Sequence, residues 1–166
     1  MSDWPIISKY ELLRELGSGG MGSVYLGRTK AGHLAAVKVL KLDLMAHPVI
    51  VKRFRKEVDV LLLQQHPGIV ALEAAGTSED GRMYLATEFI RGQDLFQIIQ
   101  RGGPMPLAAW RALVDQLLAA LAAAHRLSDD KGRPVNLIHR DLKPENVMVT
   151  YEGRVVVLDF GLAAAR

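Results

Sequence analysis

The stretch that decides this chain is His139-Arg140-Asp141-Leu142-Lys143-Pro144-Glu145-Asn146, followed further on by Leu158-Asp159-Phe160-Gly161. Asp141 and Asn146 stand five positions apart, with Pro144 stiffening the link between them. Asp159 comes eighteen positions after Asp141. Between them lie two apolar runs, Val147-Met148-Val149 and Val155-Val156-Val157-Leu158, separated by a turn at Glu152-Gly153. Short β-branched runs around a glycine turn read as a hairpin of two buried strands. Such a hairpin folds Asp159 back beside Asn146. Carboxylate and amide oxygens converging there suit a hard divalent cation such as Mg²⁺. Asp141 then stands free to take a proton from a hydroxyl.

The 166 residues are enough for one ordinary domain with a real core. A hydrophobic share of 49% and a charged share of 23% describe a globular chain and not a disordered one. The absence of cysteine excludes disulfides and thiolate metal sites. The opening Met-Ser-Asp-Trp-Pro is no basic, apolar leader, and no apolar run approaches bilayer-spanning length, so a cytoplasmic location and no membrane segment are expected. A net charge of +3 and a pI near 9.3 raise the question of nucleic acid. The basic residues are scattered, however, and the tightest cluster, Lys52, Arg53, Arg55 and Lys56, falls on a predicted helix where a solvated face is the usual explanation. No nucleic-acid partner is expected.

In chain order, a strand over 10–16 runs into Gly17-Ser18-Gly19-Gly20-Met21-Gly22-Ser23-Val24, and a second strand follows through Leu26. Glycines at 17, 19 and 22 let backbone N–H groups approach phosphate oxygens with no Cβ in the way. A dinucleotide fold would need a helix straight after the glycines, and here a strand follows. In the third strand, 33–40, alternation puts Ala36, Lys38 and Leu40 on one face. A lysine on an apolar strand needs a counter-charge, unless it guards a sheet edge. The next helix starts near Pro48 and ends before His66, with Phe54, Val58, Leu61 and Leu62 at helical spacing. Glu57 sits at the edge of that stripe, and either Arg53 or Lys38 can answer its charge.

Strands over 69–75 and 83–89 flank a polar turn, and 88–92 breaks the pattern as a linker before a short helix over 94–100. A long helix over 106–127 carries Trp110, Leu113, Val114, Leu117, Leu121 and Ala124 on one side and reads as core scaffolding. His125 reads as a packed or capping histidine. The polar loop 128–136 has no assigned role.

His-Arg-Asp-Leu-Lys-Pro-Glu-Asn with Asp-Phe-Gly resembles the catalytic loop and metal-binding segment of protein kinases. The glycine pattern with Val24 resembles their glycine-rich loop, and Lys38 matches their strand lysine. With His-Pro-Gly-Ile-Val, the chain looks most like the eukaryotic-like serine/threonine kinases of bacteria. The resemblance covers about residue 10 to the end. It implies an α+β, protein-kinase-like fold: an N-terminal lobe (1–88) with a five-stranded antiparallel sheet and one main helix, a hinge (89–91), and the first part of a helical C-terminal lobe (92–166). The family's activation segment, Ala-Pro-Glu element and later helices have no counterpart in these 166 residues.

The resemblance further implies ATP between two lobes. Val24 and Ala36 above and Met148 below would pack the adenine, with Leu16 also among the cofactor-binding residues, Thr87 as gatekeeper and Glu88, Phe89 and Ile90 as the linker. Asp94 is a candidate ribose contact, and equally a helix N-cap. Gly17, Gly19, Gly22 and Lys38 attend the phosphates, and of the two cations open to Glu57 the resemblance chooses Lys38. Asn146 and Asp159 hold Mg²⁺, with Mn²⁺ as an alternative. Asp141 accepts the substrate proton, and Lys143 steadies the γ-phosphate, a mark of serine/threonine specificity. The implied partner is a protein Ser or Thr hydroxyl, with self-association expected through an exposed face of the shortened larger lobe. Two rival readings stand beside this one: a nucleotide-binding or interaction module without catalysis, and a small-molecule phosphotransferase of kinase-like fold. Lys143-Pro144-Glu145 favours protein kinases over antibiotic-type phosphotransferases.

Overall fold

The computed structural model describes residues 6–129, 131–135 and 137–159. The chain divides into two units, residues 1–58 with 72–89, and residues 59–71 with 90–166. The first unit holds the five antiparallel strands that the resemblance implies, plus a two-residue strand at one edge. These are β1 (Ile6–Ile7), β2 (Tyr10–Ser18), β3 (Gly22–Thr29), β4 (Leu34–Leu40), β5 (Leu72–Thr77) and β6 (Met83–Glu88), in the order β1-β2-β3-β4-β6-β5. One face of the sheet buries Tyr10, Leu12, Ala35, Val37, Val39, Tyr84 and Ala86, with Ile7 of the added strand. Gly27 makes room for this cluster, since a Cβ there would lie 2.6 Å from Val37 Cγ2 and 3.2 Å from Tyr10 Cβ.

The expected strand over 69–75 starts late, at Leu72. Ile69 and Val70 are drawn to a different partner: Val70 N–H donates to Val157 O at 3.1 Å and Val157 N–H to Gly68 O at 2.9 Å. Ile69 packs with Val60 and Val157 in a core of the second unit, which is why residues 59–71 cluster there and not with the sheet.

Helix α1 (Pro48–Leu63) begins at the proline, as the sequence suggests. Phe54, Glu57 and Leu61 form its buried stripe at spacings of three and four. Leu62, assigned above to that stripe, is instead 64% exposed, because one further residue rotates it off the buried arc. Glu57 therefore lies within the stripe and not at its margin.

Glu73 of β5 closes the sheet core. Its carboxylate meets His33 Nε2 at 2.7 Å and accepts a long, 3.5 Å hydrogen bond from the Tyr10 hydroxyl. Burial first, then the charges of Glu73 and Tyr84, push the Tyr10 phenol up to about 12 from an ordinary 10.0. A group whose folded pKa is raised contributes stability that is complete below the unfolded value and lost as pH climbs through the folded one. Unfolding measured from pH 9 to about 12 should thus show a loss of stability that begins near pH 10. In Tyr10→Phe this component of the decline is absent; equal pH slopes in the two proteins would remove Tyr10 as its source.

The second unit contains β7 (Gly92–Asp94), α2 (Leu95–Arg101), α3 (Leu107–His125), β8 (Val147–Thr150) and β9 (Val155–Val157). Its three strands form an antiparallel sheet in the order β7-β8-β9. The predicted hairpin is β8–β9, and β7 is an addition that the linker reading did not contain. Gly92 permits it: a Cβ at 92 would stand 2.1 Å from Val149 O. Helix α3 packs Leu113 with Leu95, Val147 and Val155, and Ala120 and Ala124 with Val60, Ile69, Leu137 and Val157. By length and composition alone α3 could cross a membrane, contrary to the expectation that no apolar run is long enough; its alanine-rich stretch supplies the difference. Val114, assigned above to the packed side, is 41% exposed, and Leu118 is 58% exposed.

The polar loop after α3 is closed at its base, where Val135 N–H donates to Leu127 O at 2.8 Å. Above that, the Asp129 carboxylate accepts from the Lys131 and Arg133 N–H groups, each at 2.9 Å, and from the Arg133 guanidinium at 2.8 Å. The Arg133 guanidinium holds the Asp129 carboxyl below its usual range. Gly132 supplies the left-handed turn residue at φ 73°.

Candidate functional site

Register fixes which strand residues share a surface. Lys38 lies opposite Val24 on one side and Leu85 on the other, and Ala36 lies opposite Leu26 and Thr87. Directly opposed residues of antiparallel strands point the same way. Val24, Ala36, Lys38 and Thr87 therefore occupy the face of the sheet turned away from the Tyr10 core. On it the Lys38 ammonium donates to both carboxylate oxygens of Glu57, at 2.8 and 2.9 Å. Glu57 is 4% exposed. A carboxylate so buried is strongly unfavourable unless it is paired and hydrogen-bonded. Of the two cations open to Glu57 in the sequence, Lys38 holds it, and Arg53 faces solvent.

The glycine turn is a tight one, with Gly19 N–H donating to Gly22 O at 2.9 Å. Gly22 is required by the fold, since a Cβ there would sit 2.2 Å from Val39 O of β4. Gly17, Gly19 and Gly20 are different. A Cβ on Gly17 or Gly20 would meet nothing within 4 Å, one on Gly19 would meet only Gly22 O at 3.9 Å, and none of the three has a positive φ. The chain's own packing does not ask for glycine at these positions. Leu16, in the irregular pairing between Glu15 and Gly17, is exposed beside the turn. What the glycines leave is an uncovered backbone, the form that binds anionic oxygens.

In the second unit, His139 ties the loop that opened the sequence reading to the strand after it. Its Nε2–H donates to Leu158 O at 2.8 Å, and its Nδ1 accepts from the Asp141 N–H at 3.3 Å. A carbonyl oxygen can only accept, so Nε2 carries the proton of that bond. Asn146 donates to Asp141 O at 2.8 Å and to Asp141 Oδ2 at 3.2 Å, and Lys143 Nζ lies 3.4 Å from the same Oδ2. Leu158 N–H donates to Asn146 O at 2.8 Å, so Asp159, the next residue, is brought beside Asn146 as the hairpin predicted. Phe160 and Gly161 of the Asp-Phe-Gly motif lie outside the described residues. Arg140 and Asp159 have φ of 64° and 52°, and Ser8 is the one other non-glycine residue with a positive φ among those described. Backbone held in this sparsely populated region on both sides of Asn146 is the kind of strain that clusters at functional loops.

The donor set fits a hard cation. Both Asn146 N–H bonds run to Asp141, its amide oxygen accepts no hydrogen bond among the described residues, and Asp159 adds a carboxylate. Among the described residues no three His, Asp or Glu side chains gather at a point. Asn146 and Asp159 would offer two oxygens to such an ion, fewer than a fully protein-built cage.

Thr87 and Ile90 are buried and Glu88 is half-buried, with Glu88 ending β6. Met148 lies opposite Asp94 across β7–β8. For Asp94 the capping role is realised: it begins α2, and its oxygens accept from Gln97 N–H at 2.7 Å and Gln97 Nε2 at 2.6 Å. Three supporting residues escaped the sequence reading. His139 was quoted there without a role, and Gly92 was read as a linker residue. Gln116 of α3 donates to Gly153 O at 3.0 Å and accepts from Val155 N–H at 3.1 Å, bracing the β8–β9 turn. A glycine facing a β-branched strand is a signal that can be found, whereas nothing local marks Gln116.

An ion-paired strand lysine, an uncovered glycine turn, and an aspartate flanked by lysine and asparagine are the elements on which the resemblance to protein kinases rests. The family profile of the protein kinase domain matches residues 10–166, and the chain belongs to the protein kinase family. Curated relatives include bacterial serine/threonine-protein kinases. The serine/threonine-protein kinase pkn2 of Myxococcus xanthus is 42% identical over 159 residues, covering 93% of this chain and 18% of that protein. PrkC of Bacillus subtilis is 32% identical over 161 residues, with 96% and 24% covered. PknA of Mycobacterium tuberculosis is 35% identical over 162 residues, with 95% and 36% covered. The chain thus spans well under half the length of these serine/threonine kinases.

Proposed function

We propose that this chain carries the ATP-binding and catalytic-loop residues of a serine/threonine protein kinase, which transfers the γ-phosphate of ATP to a protein Ser or Thr hydroxyl. The observation that carries the reading is the convergence on Asp141. Lys143 at 3.4 Å and Asn146 at 3.2 Å both approach Oδ2, which leaves Oδ1 to accept a hydroxyl proton. The Lys143 ammonium beside that oxygen is suited to the negative charge that builds on the transferring phosphoryl group. Lys38, held by Glu57, orients the nucleotide phosphates, and the backbone of the glycine turn receives them. Val24, Ala36, Thr87, Glu88, Ile90 and Met148, with Leu16, are the adenine contacts in this reading, and Asp94 is a ribose contact in addition to its cap. Mg²⁺, when bound by Asn146 and Asp159, supplies charge neutralisation of the phosphates. Catalysis is then positioning plus electrostatics, with no covalent nucleophile.

The lobe division, an N-terminal lobe over 1–88, a hinge over 89–91 and the start of the larger lobe from 92, belongs to the same proposal. ATP as the donor assigns the reaction to the cytoplasm. The outward residues Val114 and Leu118, with Leu107, support self-association through α3, which sedimentation across a range of concentrations checks.

The test is incubation with Mg²⁺ and ATP labelled at the γ-phosphate, a generic basic protein as acceptor, and hydrolysis to phosphoamino acids. Phosphoserine and phosphothreonine without phosphotyrosine are expected. Label on small alcohols and none on protein would favour a small-molecule phosphotransferase. Nucleotide binding with no transfer to either would favour a module without catalysis.

A further inference from the structure

The glycine turn between β2 and β3 is held unevenly. Its second limb is anchored to β4: Gly22 and Ser23 lie opposite Leu40 and Val39, and the Lys41 N–H donates to Met21 O at 3.2 Å. Its first limb has less support. Among the described residues β1 reaches β2 only at Tyr10 and Glu11, so Gly17 and Ser18 have β3 as their single neighbouring strand. The β2–β3 pairing also slips between Glu15 and Gly17, just before the turn. Three of the four residues at the tip, Gly19-Gly20-Met21-Gly22, are glycine, the residue with the most backbone freedom to lose.

A side-chain contact crosses between the two limbs at their base. Ser18 and Ser23 are the last opposed pair of the β2–β3 ladder, and their hydroxyl oxygens stand 3.1 Å apart. Each hydroxyl can donate or accept, so either can supply the proton of this bond. The pair does not face the phosphates. Ser23 lies opposite Val39, which belongs to the Tyr10 core, whereas its neighbour Val24 lies opposite Lys38. Alternation therefore puts both hydroxyls on the reverse of the nucleotide face. Whatever they do for a nucleotide, they do through the backbone between them.

We propose that the Ser18–Ser23 hydroxyl pair is a clasp: it ties the free limb of the glycine turn to the anchored one and holds the backbone in the form that receives nucleotide phosphates. Both serines are then positioning residues, and the proposal rests on the ATP-binding reading given above. Ordering a glycine-rich limb is entropically expensive. A limb already held before the ligand arrives spares that cost at the moment of binding. The benefit goes to ligands that reach the turn through phosphates, ATP and ADP, and not to adenosine. The competing account is a pair of solvated serines that touch without consequence, which predicts no change in turn order or in phosphate-dependent affinity when the hydroxyls are removed.

The experiment titrates the whole chain with ATP, ADP and adenosine in Mg²⁺, and measures backbone amide relaxation at Gly19 and Gly20 without nucleotide. Ser18→Ala/Ser23→Ala should weaken ATP and ADP binding roughly two- to tenfold, the range for losing one hydrogen bond. Adenosine affinity should stay as it was, and the Gly19 amide should gain mobility. In turnover the KM for ATP should rise with kcat kept, the mark of lost uniform binding. Ser18→Thr/Ser23→Thr retains both hydroxyls and should match the parent. Ser18→Cys/Ser23→Cys introduces the only cysteines of the chain, and it should bind weakly when reduced and like the parent when the disulfide is formed. Parent-like ATP affinity and Gly19 order in the alanine variant would overturn the clasp, and so would equal losses for ATP and adenosine. A parent chain that binds no ATP would instead strike the nucleotide reading, while the Gly19 comparison, which needs no ligand, would still decide whether the hydroxyls close the turn.

Discussion

Phosphoryl transfer by the Asp141→Asn protein should fall at least about a hundredfold while ATP still binds, the scale expected for losing a positioned base. The substitution is close to isosteric, and the backbone bond from Asn146 to Asp141 O is untouched. What is lost is the proton acceptor and the counter-charge of Lys143, which lies 3.4 Å away. Asp159→Asn should behave differently. It removes a carboxylate from the proposed metal-binding pair and should weaken nucleotide binding in Mg²⁺ while leaving metal-free binding alone. Single-turnover transfer and nucleotide titration with and without Mg²⁺ separate the two. If both variants share one binding defect and neither shows a catalytic one, the division of roles between the aspartates is wrong.

Lys38→Met should abolish productive nucleotide binding or transfer, and it should also cost stability. Breaking a buried ion pair by removing one partner leaves the other charge uncompensated, typically at about 3–5 kcal/mol. Protonation of Glu57 can relieve part of that. Glu57→Gln should act in the same direction but more weakly, because an amide still accepts a hydrogen bond from Lys38. The two effects of Lys38→Met are distinguishable with Lys38→Met/Glu57→Leu. The double variant replaces the whole pair by apolar groups and should recover much of the lost stability without recovering transfer. Parent-like nucleotide affinity and transfer in a folded Lys38→Met chain would remove Lys38 from the site.

What the sequence discloses and what it hides divide along a physical line. Alternation in β4 was enough to put Ala36 and Lys38 on one face, because the period of a strand is a local property. The β8–β9 hairpin and the return of Asp159 toward Asn146 were legible for the same reason. The partner of Glu57 was not legible from local pattern, since Arg53 and Lys38 both satisfied the demand for a cation, and tertiary packing made the choice. Leu62 shows the same limit at finer grain: apolar spacing alone cannot tell Leu61, which is buried, from its neighbour, which is not. Ile69 and Val70 have the composition of strand residues, yet the Val70 N–H bonds to Val157, far along the chain, and the Ile69 N–H to His66. Strand β7 and the Gln116 brace depend on partners far along the chain, 39 residues away for Val155 and Gln116, so no local pattern marks them.

The loop between α3 and the catalytic segment is joined at its root by Leu127 and Val135, so what lies above is mechanically separate from what lies below. Length at that point is nearly free, since each doubling of a flexible loop adds only about 0.6 kcal/mol to its closure. Evolution has there a slot in which residues can be gained or lost without disturbing the anchored Leu137 and His139 that follow. For an experimenter it is a splice point: a reporter domain inserted at the exposed turn around Lys131 and Gly132 would ride on the protein while the rest of the chain kept its register.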